Sequence, residues 1–297
     1  MKISLLTDAP KYNLALMKIS AYHKAQGDEV MLNSPLFPAD KTYASVLFDW
    51  NKNKFMADKY GGPQFPKTIL PQYIEELRPD YDLYKLDHSL GYTFRPCYRK
   101  CDFCLVKTFR QPDKNHHSIW EFHEKKFKDI CLLNNNTFLD RFWEETFKEI
   151  WDADLRLMEH GFDVRVLDDK KAEALKKTRF RGRLHFAWDR MKDEEVIVKK
   201  LNLLKEYEII ARFYVLIGYD TTIEQDLHRC QVLINYDQVP YVMPYTKKPI
   251  VKKFKNFMNS PAHWWHRRDK IHYAWDNYCA GIKTKAPDLK QESLFNL

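Results

Sequence analysis

The chain has 297 residues, with 49 lysines and arginines against 41 acids, six cysteines, 15% aromatic residues and only 8 glycines. With 44% apolar and 30% charged residues it can bury a sizeable core, which excludes a disordered polyelectrolyte. No apolar run approaches the eighteen or so residues of a membrane span, the opening MKISLLTDAP is too briefly apolar for a signal peptide, and no glycine fingerprint of a nucleotide site occurs, so a folded, cytoplasmic protein without membrane attachment is expected.

Lys2 to Leu6 reads as a strand, and Leu14, Met17, Ala21 and His23 to Ala25 continue as a helix ending near Gly27. Tyr43 to Phe48 reads as a second strand, followed by a turn at Gly61-Gly62-Pro63. Residues 1–85 therefore predict a small Rossmann-like α/β unit, with Arg78-Pro79-Asp80-Tyr81-Asp82 as a linker. Beyond it, β-type runs recur at 91–95, 129–133, 163–167, 184–188, 211–218 and 241–245, with helical segments between most of them. Strands alternating with helices imply a parallel sheet, and six units suit an open sheet or a partial barrel over residues 86–246. One helix is expected to start at an Asp140 N-cap, with Glu144 and Glu145 in its first turn. Trp143, Phe147, Ile150 and Trp151 would form its apolar face and Gly161 its end. Thr222-Ile223-Glu224-Gln225 fits a capping box for a later helix.

Three of the six cysteines, Cys97, Cys101 and Cys104, fall within eight residues directly after the 91–95 run. In a reducing compartment such spacing points to a metal rather than to disulfides. A structural zinc would need a fourth ligand, and His116 or His117 could supply it. An iron–sulfur cluster held by three thiolates would leave one iron open to a ligand. Cys131, Cys230 and Cys279 stand apart and read as buried or incidental thiols.

The stretch GYTFRPCYRKCDFC, with Phe103 beside the third cysteine, resembles the signature of radical S-adenosylmethionine enzymes. It is similar to members that carry an N-terminal cobalamin-binding-like domain. The resemblance implies a partial (β/α)6 TIM-like barrel in which Cys97, Cys101 and Cys104 ligate three irons of a [4Fe-4S] cluster. The fourth iron would chelate S-adenosylmethionine, whose reductive cleavage gives a 5′-deoxyadenosyl radical that acts on an unknown substrate. An external electron donor of the flavodoxin or ferredoxin class would be needed. The family's glycine-rich motif after the second strand is replaced here by Asn134-Asn135-Asn136, whose carbonyls could accept from the methionyl ammonium or simply form a polar turn. By the same resemblance Arg165 would face the methionyl carboxylate, or else make a structural ion pair. Asp189 would accept from the ribose hydroxyls, or contact a helix N-terminus. Ile217, Gly218 and Met243 would line the adenine cavity, or serve as ordinary barrel packing. The N-terminal unit lacks a DxHxxG stretch, so cobalamin binding is not expected.

The formal charge of +8 is concentrated at the end of the chain: from Lys247 to Lys285 there are ten basic and two acidic residues. Lys247, Lys248, Lys252, Lys253, Lys255, Arg267, Arg268 and Lys270 interleave with Trp264, Trp265, Tyr273 and Trp275. A basic, aromatic extension over 247–297 suits nucleic acid, and it equally suits a helical cap whose aromatics pack inward. The alternative to the radical enzyme is thus a zinc-stabilised, basic nucleic-acid-binding protein.

Overall fold

A computed structural model describes residues 1–34, 38–108, 115–159 and 161–282. The chain is mixed α/β, every strand pairing described is parallel, and it divides into two compact units. The first unit comprises 1–160 and 178–182, the second 161–177 and 183–297. Among the described residues no helix is long and apolar enough to cross a membrane.

The first unit opens with β1 (Lys2–Thr7), α1 (Leu14–Ala25), β2 (Glu29–Leu32), β3 (Lys41–Ser45) and β4 (Lys59–Gly61), which form a sheet in the order β2-β1-β3-β4. Asn13 caps α1 by accepting from the Leu16 N–H. Ile3 and Leu5 of β1 pack on Leu16 and Ile19 of α1 and on Ile74 of the short α2 (Gln72–Glu75). Strands β2 and β4 escaped the sequence reading because each is short, and β2 alternates between exposed and half-buried positions with no buried run. The strand expected at 43–48 is shifted to Lys41–Ser45. Its ladder ends early because the Asp8 carboxylate, at the carboxyl end of β1, takes the N–H groups of Leu47 and Phe48 at 2.6 and 3.0 Å.

The segment expected as a linker is instead packed. Tyr81 is buried, its hydroxyl donates to Phe122 O at 2.5 Å, and Ser20 donates to Asp80. Met17, Tyr81, Leu90 and Cys131 form one cluster, so residues on both sides of position 85 share a core. A three-stranded sheet follows in the order β5-β6-β7: β5 (Ser89–Gly91), β6 (Asp129–Leu132) and β7 (Arg156–Glu159), with α3 (Trp143–Asp152) between the last two. Gly91 ends β5 where no other residue fits, since a Cβ there would run into the Phe122 ring.

Two expectations fail here for identifiable reasons. The strand expected at 163–167 is a 3₁₀ turn over Val164–Val166, capped by the Asp163 side chain, and the true strand lies earlier at Arg156–Glu159. Its leading arginine disguised it: Arg156 pairs with the buried Asp129 across the ladder at 2.6 Å. Asp140 does not cap α3 directly. It accepts from the Phe142 N–H, and the helix begins at Trp143 and stops at Ala153, well short of Gly161, with Asp154 in the left-handed region.

The second unit contains α4 (Asp169–Lys177), β8 (His185–Ala187), α5 (Glu194–Glu206), β9 (Arg212–Ile217), α6 (Ile223–Asn235) and β10 (Val239–Pro244). Its sheet runs β8-β9-β10, again parallel and in chain order. Phe213, Val215 and Ile217 of β9 are fully buried, as are Leu201 and Leu204 of α5 and Cys230 and Leu233 of α6. The capping box at Thr222 and Gln225 forms as expected. The basic extension folds as α7 (Pro249–Met258) and α8 (Ile271–Cys279). Phe254, Phe257, Trp264 and Trp275 are buried, so these aromatics pack inward while Lys247, Lys248 and Lys252 stay exposed. Lys285, at the end of the expected extension, lies outside the described residues.

Candidate metal centre

The cysteine loop leaves the carboxyl end of β5, which is buried along its length. Thr93 and Phe94, two and three residues beyond β5, are buried too, but their N–H groups bond to no strand. Both donate to Asn134 Oδ1, at 2.9 and 3.1 Å. Asn134 Nδ2 in turn donates to Thr93 Oγ1 and Thr137 Oγ1. One asparagine after β6 thereby clasps the end of β5, and its amide donors and carbonyl lone pairs are all occupied. In this structure the Asn134 side chain is spent on the strand ends, the polar-turn role that was the alternative to ammonium binding. Asn135 is exposed and donates through Nδ2 to Arg95 O, two residues before Cys97, which leaves its side-chain carbonyl beside the loop. Asn136 is buried.

The loop is tethered at several points. The Arg95 guanidinium lies over the Tyr92 ring at 4.4 Å and bonds to Glu75 at 3.1 Å, and Lys18 holds the same carboxylate. Cys104 N donates to Cys101 O at 3.1 Å, closing a turn around Phe103, and Lys107 donates to Asp102 O. Cys97, Cys101, Cys104 and Phe103 are all partly exposed, and the three cysteines are thiols rather than disulfides. The remaining cysteines behave as bystanders. Cys131 and Cys230 are buried, burial pushes the Cys230 thiol up to about 12, and Cys279 sits exposed at the end of α8.

The two histidines considered for zinc are both engaged. His116 Nδ1 lies 2.6 Å from Asp140 Oδ2, and His117 Nδ1 lies 2.8 Å from Glu121 Oε2. Among the described residues no three His, Cys, Asp or Glu side chains are gathered as a single ion would need. Three free, partly exposed thiols on one loop are a donor set that an iron–sulfur cluster or a zinc ion could take.

The other candidates lie in the second unit. Arg165 is on the 3₁₀ turn and is held in a salt-bridge network. Its Nε and Nη2 bond to Asp163 at 2.8 and 3.1 Å, and its Nη1 bonds to Asp193 at 3.0 Å. Arg165 thus makes the ion pair that was one of its two expected roles. Asp189, just past β8, is half-buried near these groups. Burial pushes its carboxyl up to about 6, with Asp163 and Asp193 adding to the rise and Arg229 and Arg165 opposing it. Ile217 is fully buried core of β9. Gly218 has a positive φ of 70°, and Met243 is 45% exposed at the end of β10.

The buried pair Arg229 and Asp226 on α6 was missed by the sequence reading. Arg229 donates to Trp188 O and Leu216 O, both at 2.7 Å, and to Asp226 at 2.5 Å. The i, i+3 spacing was visible, but nothing in it distinguished a core pair from a solvated one. Compared with protein-family models and with curated proteins, the chain matches none.

Proposed function

We propose that the loop from Cys97 to Cys104 holds a [4Fe-4S] cluster and that the protein is a radical S-adenosylmethionine enzyme. The observation that carries this reading is the setting of the three thiols: one short, tethered loop at the carboxyl end of a buried parallel strand. In parallel α/β sheets that end of the strands is where ligands and chemistry are placed. When bound, the reduced cluster supplies one electron that splits the sulfonium of S-adenosylmethionine into methionine and a 5′-deoxyadenosyl radical. Cys97, Cys101 and Cys104 would hold three of its irons. Asn135 offers an unspent carbonyl beside the loop to an ammonium, whereas Asn134 fixes the loop's base. Phe103 stands in the turn between the last two cysteines, beside the proposed cluster.

The partial (β/α)6 TIM-like barrel belongs to this proposal, supported by two parallel sheets that each run in chain order. The cluster itself would be held by residues of the first unit alone. The substrate is left open, the electron donor is an external flavodoxin- or ferredoxin-like protein, and thiolate ligation calls for the reducing cytoplasm. After anaerobic reconstitution and chemical reduction, the protein is expected to convert S-adenosylmethionine to methionine and 5′-deoxyadenosine. Replacing Cys97, Cys101 or Cys104 by alanine should abolish that conversion, and Cys279→Ala should not. Conversion that survives loss of all three loop cysteines would sink the proposal.

A further inference from the structure

From Lys247 to Met258 the chain has five lysines and no acid. In α7 the apolar positions Val251, Phe254, Phe257 and Met258 are buried. Lys248, Lys252 and Lys255 follow i, i+4, i+7 spacing and so share another face of the helix. Lys253 is turned away, its ammonium donating to Cys279 O and lying over the Tyr278 ring. Among the described residues no carboxylate pairs with Lys247, Lys248, Lys252 or Lys255. This arrangement works against the helix. Like charges three and four residues apart repel, and Lys247 and Lys248 sit at the positive end of the helix dipole, where an acid would stabilise. The first turn has no acid, and Lys248 at the N-cap makes no side-chain cap. Local conflicts of this kind are expected where a surface serves a ligand.

An aromatic pair stands at the head of this face. Tyr245 is 53% exposed and meets the Tyr219 ring edge-on at 4.7 Å. The loop carrying Tyr219 lies directly on the first turn of α7, since a Cβ on Gly218 would come within 2.8 Å of Val251 and 3.1 Å of Thr246.

We propose that this lysine face, with Tyr245 at its head, binds single-stranded nucleic acid. From Lys248 to Lys255 the helix advances about 10 Å, a reach of a few phosphates along one strand. The exposed tyrosine offers a stacking surface to an unpaired base, which a duplex does not present. An anionic membrane fits less well, because Val251, Phe254, Phe257 and Met258 of α7 are buried and Ile250 is the one large apolar side chain of the helix left exposed to enter a bilayer. The inference stands apart from the cluster proposal, as it uses residues of the second unit only.

The test is fluorescence anisotropy with end-labelled oligouridine and oligothymidine of about 20 nucleotides, titrated between about 50 and 200 mM salt. Four neutralised phosphates predict a log–log salt slope near −3 (about 0.7 per phosphate on single strands), and the triple variant Lys248→Ala, Lys252→Ala, Lys255→Ala should reduce it by about 2. Tyr245→Ala should weaken binding about tenfold at every salt concentration and leave the slope unchanged. Circular dichroism melts confirm that each variant is folded. No binding at the lowest salt, binding that the triple variant leaves intact, or tighter binding to a duplex of equal length would each overturn the proposal. Lysine-dependent binding to phosphatidylserine vesicles with none to oligonucleotides would overturn it as well, and would reassign the face to a membrane surface.

Discussion

At the residue scale, Asn134 makes four hydrogen bonds where two strands end, two of them to the N–H groups of Thr93 and Phe94. Asn134→Ala orphans both buried donors at a cost of about 1–3 kcal/mol each, so the variant should lose about 2–6 kcal/mol in urea unfolding. A loss under about 0.5 kcal/mol would mean that the clasp is not needed to hold the loop's base. Asp189 supplies a pH test. Its folded-state pKa of about 6 lies above the ordinary value of 3.8, because burial disfavours the charged form. The fold therefore binds this proton more tightly than the unfolded chain does. The associated stability is complete below pH ~4 and is lost as pH rises through ~6. Asp189→Asn removes that dependence, so its stability relative to the parent should rise between pH ~4 and ~7, by about 3 kcal/mol at most. A difference that stays flat, or that falls, contradicts the burial of this carboxyl.

At the element scale, the energetics follow what the side chains do to the backbone. Arg229 crosses from α6 to carbonyls at the carboxyl ends of β8 and β9, and both it and Asp226 are fully buried. Arg229→Met leaves Asp226 buried without its cation, so a loss of about 3–5 kcal/mol is expected by calorimetry or denaturant titration. Thr222→Ala removes one half of the α6 capping box and should cost about 1 kcal/mol. The same elements show what the sequence discloses. The core strands β1, β6, β8, β9 and β10 and the helices α1 and α6 were legible from apolar runs and cap residues. The ends of β3 and β5 were not, because Asp8 and Asn134 reach from other strand ends to take the backbone donors that would have extended the ladders. No local pattern reveals a partner about 40 residues away. Strand β7 was hidden by a charged residue whose partner, Asp129, lies on the neighbouring strand. In the candidate site the cysteines were legible from spacing alone. That Asn134 is spent while Asn135 is not could emerge only from the fold.

At the scale of the whole molecule, the +8 charge and the six cysteines separate into different places. The basic excess belongs to the lysines of α7 and the segments after it, whereas the three clustered thiols belong to a loop of the first unit. The inward packing of Trp264 and Trp275 makes the extension part of a folded body, so its lysines act as a surface rather than as a loose tail. Whether the cysteine loop holds a [4Fe-4S] cluster is decided by elemental analysis and visible spectroscopy of the protein after anaerobic reconstitution with iron and sulfide. A brown protein with about four irons and four sulfides per chain is expected, with a Cys97→Ala, Cys101→Ala, Cys104→Ala variant that stays colourless while folded. A colourless protein that retains one equivalent of zinc through the same loop would contradict the cluster.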